Sequence, residues 1–408
     1  MVKMNKLMAL LVTIALLASP VTGCVTPQEE ETTTQGITTV ENETTVEEEI
    51  TSKKEMTTEE TTEAAETTAE GTAEEETTAT DETNAETLYT VDGDKVYFGS
   101  YPQSVVTDTD LTATLTAAAG PLPTEDDFGS WISYEYYLEG EISDYMWYID
   151  LEHGGSTYRG VYFTAYRPDF SVDESTAEEY SKQAARGYYT DTVYWFKYEP
   201  LSWTILKRGS NGKVMLLCDR IIDVQEFCID EQEIRTVDGE TVYPNNYEHS
   251  RIREWLNDTF YETAFSDLQK ELILVTRVDN SAASTESIPN VYACNDTMDR
   301  IFLLSYADVT NDDYGFSSDY TSYDRAKHKQ TTAYAQAMGA TTFSDQSDYP
   351  GNGQWWLRSP VYITSMPGLD RNGKRVQQVC PDGTVHFFGN LNSTGTGVVP
   401  ALRIQLTE

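Results

Sequence analysis

The feature that most constrains this chain is a break in composition near residue 88. Between Val25 and Thr87 stand 21 Thr and 20 acidic residues against two lysines, Lys53 and Lys54, with no aromatic residue. All 47 aromatic residues of the 408-residue chain lie at or beyond Tyr89. A segment so poor in apolar side chains buries too little surface to offset its backbone entropy, so residues 25–88 are predicted to form a disordered stalk. Its net charge of −18 makes it self-repelling, and a flexible chain of that length spans about 45 Å or more. Folding is therefore expected of residues 89–408, which are enough for a sizeable core and carry a net charge of −24. With −40 over the whole chain, phosphate backbones are repelled, and nucleic acid is excluded as a general partner.

Residues 1–24 read as an export signal. Lys3 and Lys6 supply a positive start, Leu7 to Leu17 an apolar stretch broken only by Thr13, and Ala18 to Gly23 small and turn-forming residues. The apolar stretch is too short for a permanent transmembrane helix. Val21-Thr22-Gly23-Cys24 resembles the lipobox of bacterial lipoproteins. That resemblance implies a diacylglyceryl group on the Cys24 thiol, the membrane as a partner through this anchor, and a place on the extracellular face of the cell membrane. Acyl chains at roughly 0.8 kcal/mol per buried methylene would hold the chain there.

Beyond residue 89, strand signals dominate. Lys95 to Gly99 is predicted as a strand ending at Tyr101-Pro102. Residues 145–149 and 160–163 form alternating runs within a Tyr-rich, Gly-punctuated region. Trp203 to Leu206 and Val214 to Cys218 flank Gly209-Ser210-Asn211-Gly212, a hairpin turn. Ile252, Trp255, Leu256 and Phe260 share one helical face within Ser250 to Phe265. Ser266 and Gln269 have capping-box spacing, and Thr331 to Met338 is a short helix closed by Gly339. Ile301 to Leu304 is a buried strand candidate. Gln354 to Leu357, Val379 to Phe388 with a turn at Pro381-Asp382-Gly383, and Ala401 to Leu406 return to strand.

The motifs Phe98-Gly99-Ser100-Tyr101-Pro102-Gln103, Glu199-Pro200-Leu201-Ser202-Trp203, Arg253-Glu254-Trp255-Leu256-Asn257, Trp356-Leu357-Arg358-Ser359-Pro360 and Gly397-Val398-Val399-Pro400-Ala401-Leu402 occur in this order. Together with Ile301 to Ser305 they resemble a bacterial domain family of unknown function, common in exported proteins. The likeness covers essentially residues 90–408, with about 107–192 as an enlarged loop region. Val399 departs from the pattern, where relatives usually carry Arg. More remotely, the tail is similar to the C-type-lectin-like superfamily, which includes formylglycine-generating-enzyme-like branches. The resemblance implies an α+β mixed fold with paired N- and C-terminal strands, two main helices and a large Tyr-rich insertion. Enzymatic relatives use a closely spaced Cys pair for copper-dependent oxidation; no such pair stands here, so that activity is not carried over.

Outside the cell, Cys218, Cys228, Cys294 and Cys380 suggest two disulfides. Cys218–Cys228 and Cys294–Cys380 are a plausible pairing among three, with buried free thiols as the alternative. His153, His249, His328 and His386 match no catalytic or metal motif and are expected as surface or capping residues. Asn295 to Asp299 and Asn311 to Asp313 hold enough oxygens for a structural calcium, but turn chemistry explains them better, and no cofactor is expected.

Trp131, Tyr134, Tyr136, Tyr145 and Trp147 crowd the insertion, and with Tyr362 they are the candidate ligand-binding residues, because exposed aromatics give rigid amphipathic contact area. Packing onto the core is the competing use of each. The sequence thus favours a surface-anchored lipoprotein whose ectodomain is a non-catalytic binding module for a polysaccharide or a surface protein. A carbohydrate-active enzyme built on paired carboxylates and a structural part of an envelope complex are the alternatives.

Overall fold

The computed structural model describes residues 87–406, apart from 125, 135–144, 170–174, 229–233, 345–346, 364–372 and 392. The signal, Cys24 and nearly all of the stalk, together with Tyr136, lie outside the described residues. Strands β1 (Thr90–Asp92) and β2 (Lys95–Val105) open the domain. The expected insertion holds α1 (Thr109–Ala119), β3 (Ile132–Ser133), β4 (Met146–His153) and β5 (Ser156–Phe163). Next come β6 (Tyr194–Arg208), β7 (Lys213–Cys218), β8 (Arg220–Ile221) and β9 (Asp223–Val224), and the small pair β10 (Arg235–Val237) and β11 (Glu240–Val242).

The middle is helical. Helix α2 (Arg251–Trp255) runs through a π-helical turn, Leu256–Phe260, into α3 (Tyr261–Ala264), and α4 (Asp267–Lys270) follows. After β12 (Thr276–Val278), β13 (Thr297–Asp299) and β14 (Ile301–Phe302) come α5 (Tyr306–Val309), β15 (Gln330–Thr331) and α6 (Ala333–Ala337). The chain closes with β16 (Trp355–Pro360), β17 (Arg375–Val379), β18 (Val385–Asn390), β19 (Gly397–Val398) and β20 (Ala401–Gln405). The fold is mixed α+β.

Two sheets carry it. The larger has the order β14-β20-β7-β6-β5-β4-β3, with β2 on the other edge of β6; the smaller runs β18-β17-β16-β19-β9. The expected direct pairing of first and last strands is replaced: β2 pairs with β6 and β20 with β7, so the β6–β7 hairpin stands between them. That hairpin turns where expected, with Asn211 and Gly212 at φ 59° and 73°, the left-handed conformations a tight hairpin needs. Strand β2 continues past Tyr101-Pro102 because its register against β6 shifts twice, between Tyr97 and Ser100 and between Pro102 and Ser104; an irregular register tolerates a proline that an even ladder would not.

Ile252, Trp255, Leu256 and Phe260 are all buried, as their shared face predicts. The capping box at Ser266 and Gln269 forms both of its bonds. Arg358, from the Trp-Leu-Arg-Ser-Pro motif, holds strand to loops: Nη1 donates to Leu303 O at 2.6 Å and Asp308 Oδ2 at 2.8 Å, and Nη2 to Asp279 O at 3.1 Å. Val399 is fully buried, packed as an apolar core side chain.

The insertion is not a loop region. β4 and β5 form a hairpin through Gly154-Gly155 and extend the large sheet by pairing β5 with β6. Helix α1, N-capped by the Asp108 carboxylate, covers this extension and forms a second core with Leu115, Trp131, Trp147, Ile149, Tyr158, Tyr162 and Trp195. Trp147 stacks on Tyr162 with ring centres 5.9 Å apart, and Trp131 Nε1 donates to Pro121 O at 3.1 Å. Gly160 sits opposite Trp195, and a Cβ there would lie 2.8 Å from the indole.

Buried polar contacts join the insertion to the rest of the domain. The Arg159 guanidinium on β5 takes two bonds to Asp150, at 2.8 and 2.7 Å. The rings of Tyr148, Tyr198, Tyr101 and Tyr334 surround it at 4.3 to 5.9 Å. Asp223, fully buried on β9, accepts from Tyr101 Oη at 2.7 Å, Tyr134 Oη at 3.3 Å and its neighbour Val224 N at 2.7 Å. Burial pushes its pKa up to about 6, against the opposing pull of those bonds and of Arg159 and Arg167.

Two outcomes test this packing. Gly160→Ala should lower stability by about 1–3 kcal/mol, because an overfilled site forces the Trp195 ring to move; denaturant unfolding measures it. Asp223 binds its proton more tightly folded than unfolded, where its pKa is about 3.9. Its contribution therefore favours the folded state most below pH 4 and is lost as pH rises to 6, by on the order of 2–3 kcal/mol. Between pH 4 and pH 6 the thermal midpoint of Asp223→Asn should therefore fall less, or rise more, than that of the wild type; identical slopes would refute the assignment.

Candidate functional site

Two rows of polar side chains meet at one end of the large sheet. In the first, Tyr97 on β2 lies opposite Ser202 on β6, and Asp219, just after β7, donates its backbone N–H to Ser202 O at 2.9 Å. In the second, Arg220 on β8 pairs with Gln330 on β15 in parallel, and Gln330 bridges to Asn352. With His328 these residues line a cleft of about 500 Å³, within the usual range for small-molecule sites. Strand pairing fixes the backbones of Tyr97, Ser202, Arg220 and Gln330, and the bond to Ser202 O holds Asp219 beside them.

Alternation explains the rim. Val96 and Phe98 point into the core and Tyr97 between them points out, 40% exposed. Asn352 is anchored from Nδ2 to Pro381 O at 2.9 Å. His328 Nε2 lies 3.0 Å from Asp382 O; a carbonyl only accepts, so this nitrogen carries the hydrogen and Nδ1 is left for another partner. Tyr349 stands edge-on to the imidazole, 5.3 Å away.

Asp219 is the one carboxylate among the lining residues. Burial pushes its pKa up, but hydrogen bonds from Lys95, Ser202 and Thr204 outweigh burial and hold it below the ordinary carboxylate value. Lys95 Nζ sits 2.7 Å from Asp219 Oδ1 and also donates to Thr204 Oγ1 at 2.7 Å. Behind this pair Lys329 is almost completely buried, its Nζ donating to Cys218 O at 2.8 Å. Burial lowers its pKa to about 8, with Asp219 pulling the other way. Asp219 is thus a fixed anion, which suits orientation of a ligand and not the proton donation of a glycosidase acid. A second hollow, about 640 Å³, lies in the insertion between residues 177 and 189 and includes Glu178, Glu179 and Tyr189. Its seven lining residues all come from that one short segment, three of them alanines, so fewer directional groups converge there.

The aromatic candidates are placed differently from the expectation. Trp131 (4% exposed), Tyr134 (8%) and Trp147 (1%) are core residues; each packs under α1 or hydrogen-bonds at Asp223, because the extended sheet needs filling on that face. Tyr145 is exposed and Tyr362 half-buried, with Tyr362 edge-on to Tyr292 at 5.7 Å. Neither lines the cleft. The disulfide expectation is corrected as well: Cys218, Cys228 and Cys294 stand as thiols, so neither Cys218–Cys228 nor Cys294–Cys380 forms. Burial raises the thiols of Cys218 and Cys294 to about 11 each, as expected of side chains packed into the core. Of the histidines, His153 and His249 are exposed, His386 is buried, and His328 lines the cleft.

The oxygen-rich segments serve the fold. Asp296 pairs with Arg277 at 2.6 Å and Asp299 with Arg253 at 2.7 Å, while Asn311 caps the turn at residues 312–314. Among the described residues no group of three or more His, Cys, Asp or Glu is arranged to hold a metal ion. The cleft residues went unrecognised in the sequence because they come from five separate places; a local signal was Tyr97, the outward position of an otherwise apolar strand.

No curated protein and no solved structure matches the chain. Residues 211–406, which supply Asp219, Arg220, His328, Gln330 and Asn352, match the family model described as Domain of unknown function (DUF6273).

Proposed function

We propose that this chain is a surface-anchored bacterial lipoprotein, held by Cys24 and a Thr/Glu-rich tether, whose ectodomain binds carbohydrate in the cleft beside Tyr97 without turning it over. The observation that carries this reading is the cleft's chemistry. An exposed phenol ring lies next to an amide pair, an imidazole and a hydroxyl, around a carboxylate held ionised by Lys95. Flat rings that stack, with amides and hydroxyls that exchange hydrogen bonds, complement the faces and edges of a sugar. Protein docking is less well served, since a cleft of this size admits a ring and not a broad surface. The lectin-like part of the proposal is supported by the strand-first, helix-middle, strand-last order and by the smaller loop-joined sheet at the end of the chain.

A glycan array probed with the purified protein tests the reading. At least one glycan class should bind, and Tyr97→Ala should weaken that binding at least about tenfold, a loss of 1.4 kcal/mol, with an unchanged thermal midpoint. A blank array, or binding indifferent to Tyr97→Ala, would sink the proposal. Cleavage of a bound glycan that Asp219→Asn abolishes would instead establish the enzyme.

A further inference from the structure

We infer that the cleft selects an acidic sugar, its carboxylate gripped by the Arg220 guanidinium and its ring laid against Tyr97. This rests on the carbohydrate reading and adds the charge of the ligand. The electrostatics of the cleft run against those of the rest of the domain. Residues 89–408 carry −24, yet around the cleft Lys95, Arg220 and the buried Lys329 face a single lining carboxylate, Asp219.

That carboxylate is already engaged by Lys95, Ser202 and Thr204, so it does not neutralise Arg220. The Arg220 side chain is exposed, and its guanidinium makes no hydrogen bond or ion pair among the described residues, although the protein holds 68 acidic residues. Other arginines are tied down: Arg159 to Asp150, Arg253 to Asp299, Arg277 to Asp296 and Arg358 to Asp308.

A guanidinium offers two parallel N–H donors that match a carboxylate in bidentate fashion. A neutral sugar gives that fork little beyond what water supplies, and a cationic ligand meets the like charge of Arg220. Gln330 and Asn352, in register with Arg220 across two successive pairings, place amides where the hydroxyls next to such a carboxylate would lie. The backbone geometry thus sets one charge-reading residue beside two hydroxyl-reading ones.

Titration calorimetry on the intact protein tests this with galacturonate and glucuronate oligosaccharides, each paired with its neutral methyl ester, and with an oligomer of glycerol phosphate. The acids should bind at least tenfold more tightly than their esters at low salt, with the difference shrinking as salt is added. Arg220→Gln should remove the preference, weakening the acids far more than the esters, and Arg220→Lys should restore only part of it. Equal affinity for acid and ester, or a preference that survives Arg220→Gln, overturns the inference and leaves the carbohydrate reading standing. Tighter binding of glycerol phosphate overturns the assignment to a carboxylate. If neither acids nor esters bind, both the inference and the reading beneath it fall.

Discussion

The whole domain depends on the way β6 is shared. One edge of this long strand takes β2 from Val105 to Lys95, while the other edge is divided: β5 pairs as far as Lys197 and β7 begins at Trp203. Trp203 Nε1 also donates to Phe98 O at 2.8 Å, fastening the shared strand to β2 by a side chain as well as by the ladder. Because hydrogen bonds on both edges of one strand must be satisfied together, the insertion, the opening hairpin and the family-matched half cannot be separated. The fork in the sheet between Lys197 and Trp203 is also where Asp219 reaches Ser202, so the seam that lets two halves share a strand supplies one wall of the cleft.

What was legible in the sequence was local. The β6–β7 turn, the apolar face of residues 252–260, the cap at Ser266 and the α6 stop at Gly339 each depend on residues within a few positions of one another. The insertion was misread as a loop region for a physical reason. Its glycines at 154 and 155 do mark a turn, but the runs on either side gain their partner only when β5 meets β6, which lies about 35 residues further on. The six sequence motifs mark mostly core and framework positions, such as Trp356 and Arg358, and touch the cleft only through Ser202. Cleft residues answer to pairings between β2 and β6, and between β8 and β15, which no spacing along the chain reveals.

Of the two cysteine readings, free thiols hold for Cys218, Cys228 and Cys294, and the reason is again physical. Four thiols in an exported chain fit a disulfide framework when the domain is too small to hold itself together otherwise. This domain is not small: one continuous core runs from Val96 to Ile404, and its buried Trp side chains alone, at 147, 195, 203, 355 and 356, remove a large apolar area from water. With burial supplying the stability, Cys218 can serve as an ordinary core side chain on β7.

Aromatic side chains gather for packing as readily as for binding, and the contrast between two clusters shows why. The phenols of Tyr101 and Tyr134 spend their hydroxyls on Asp223, and four rings enclose Arg159, whose charge is met by Asp150. Such a cluster is polar but finished, so its rings act as core. In the cleft the ring of Tyr97 is exposed, and among the described residues the guanidinium of Arg220 and one imidazole nitrogen of His328 have no partner. Folding satisfies polar groups wherever it can, because leaving them unpaired costs free energy once they are shielded from water. A site for a ligand is therefore marked less by which residue types gather than by how much of their bonding capacity the fold has left unused.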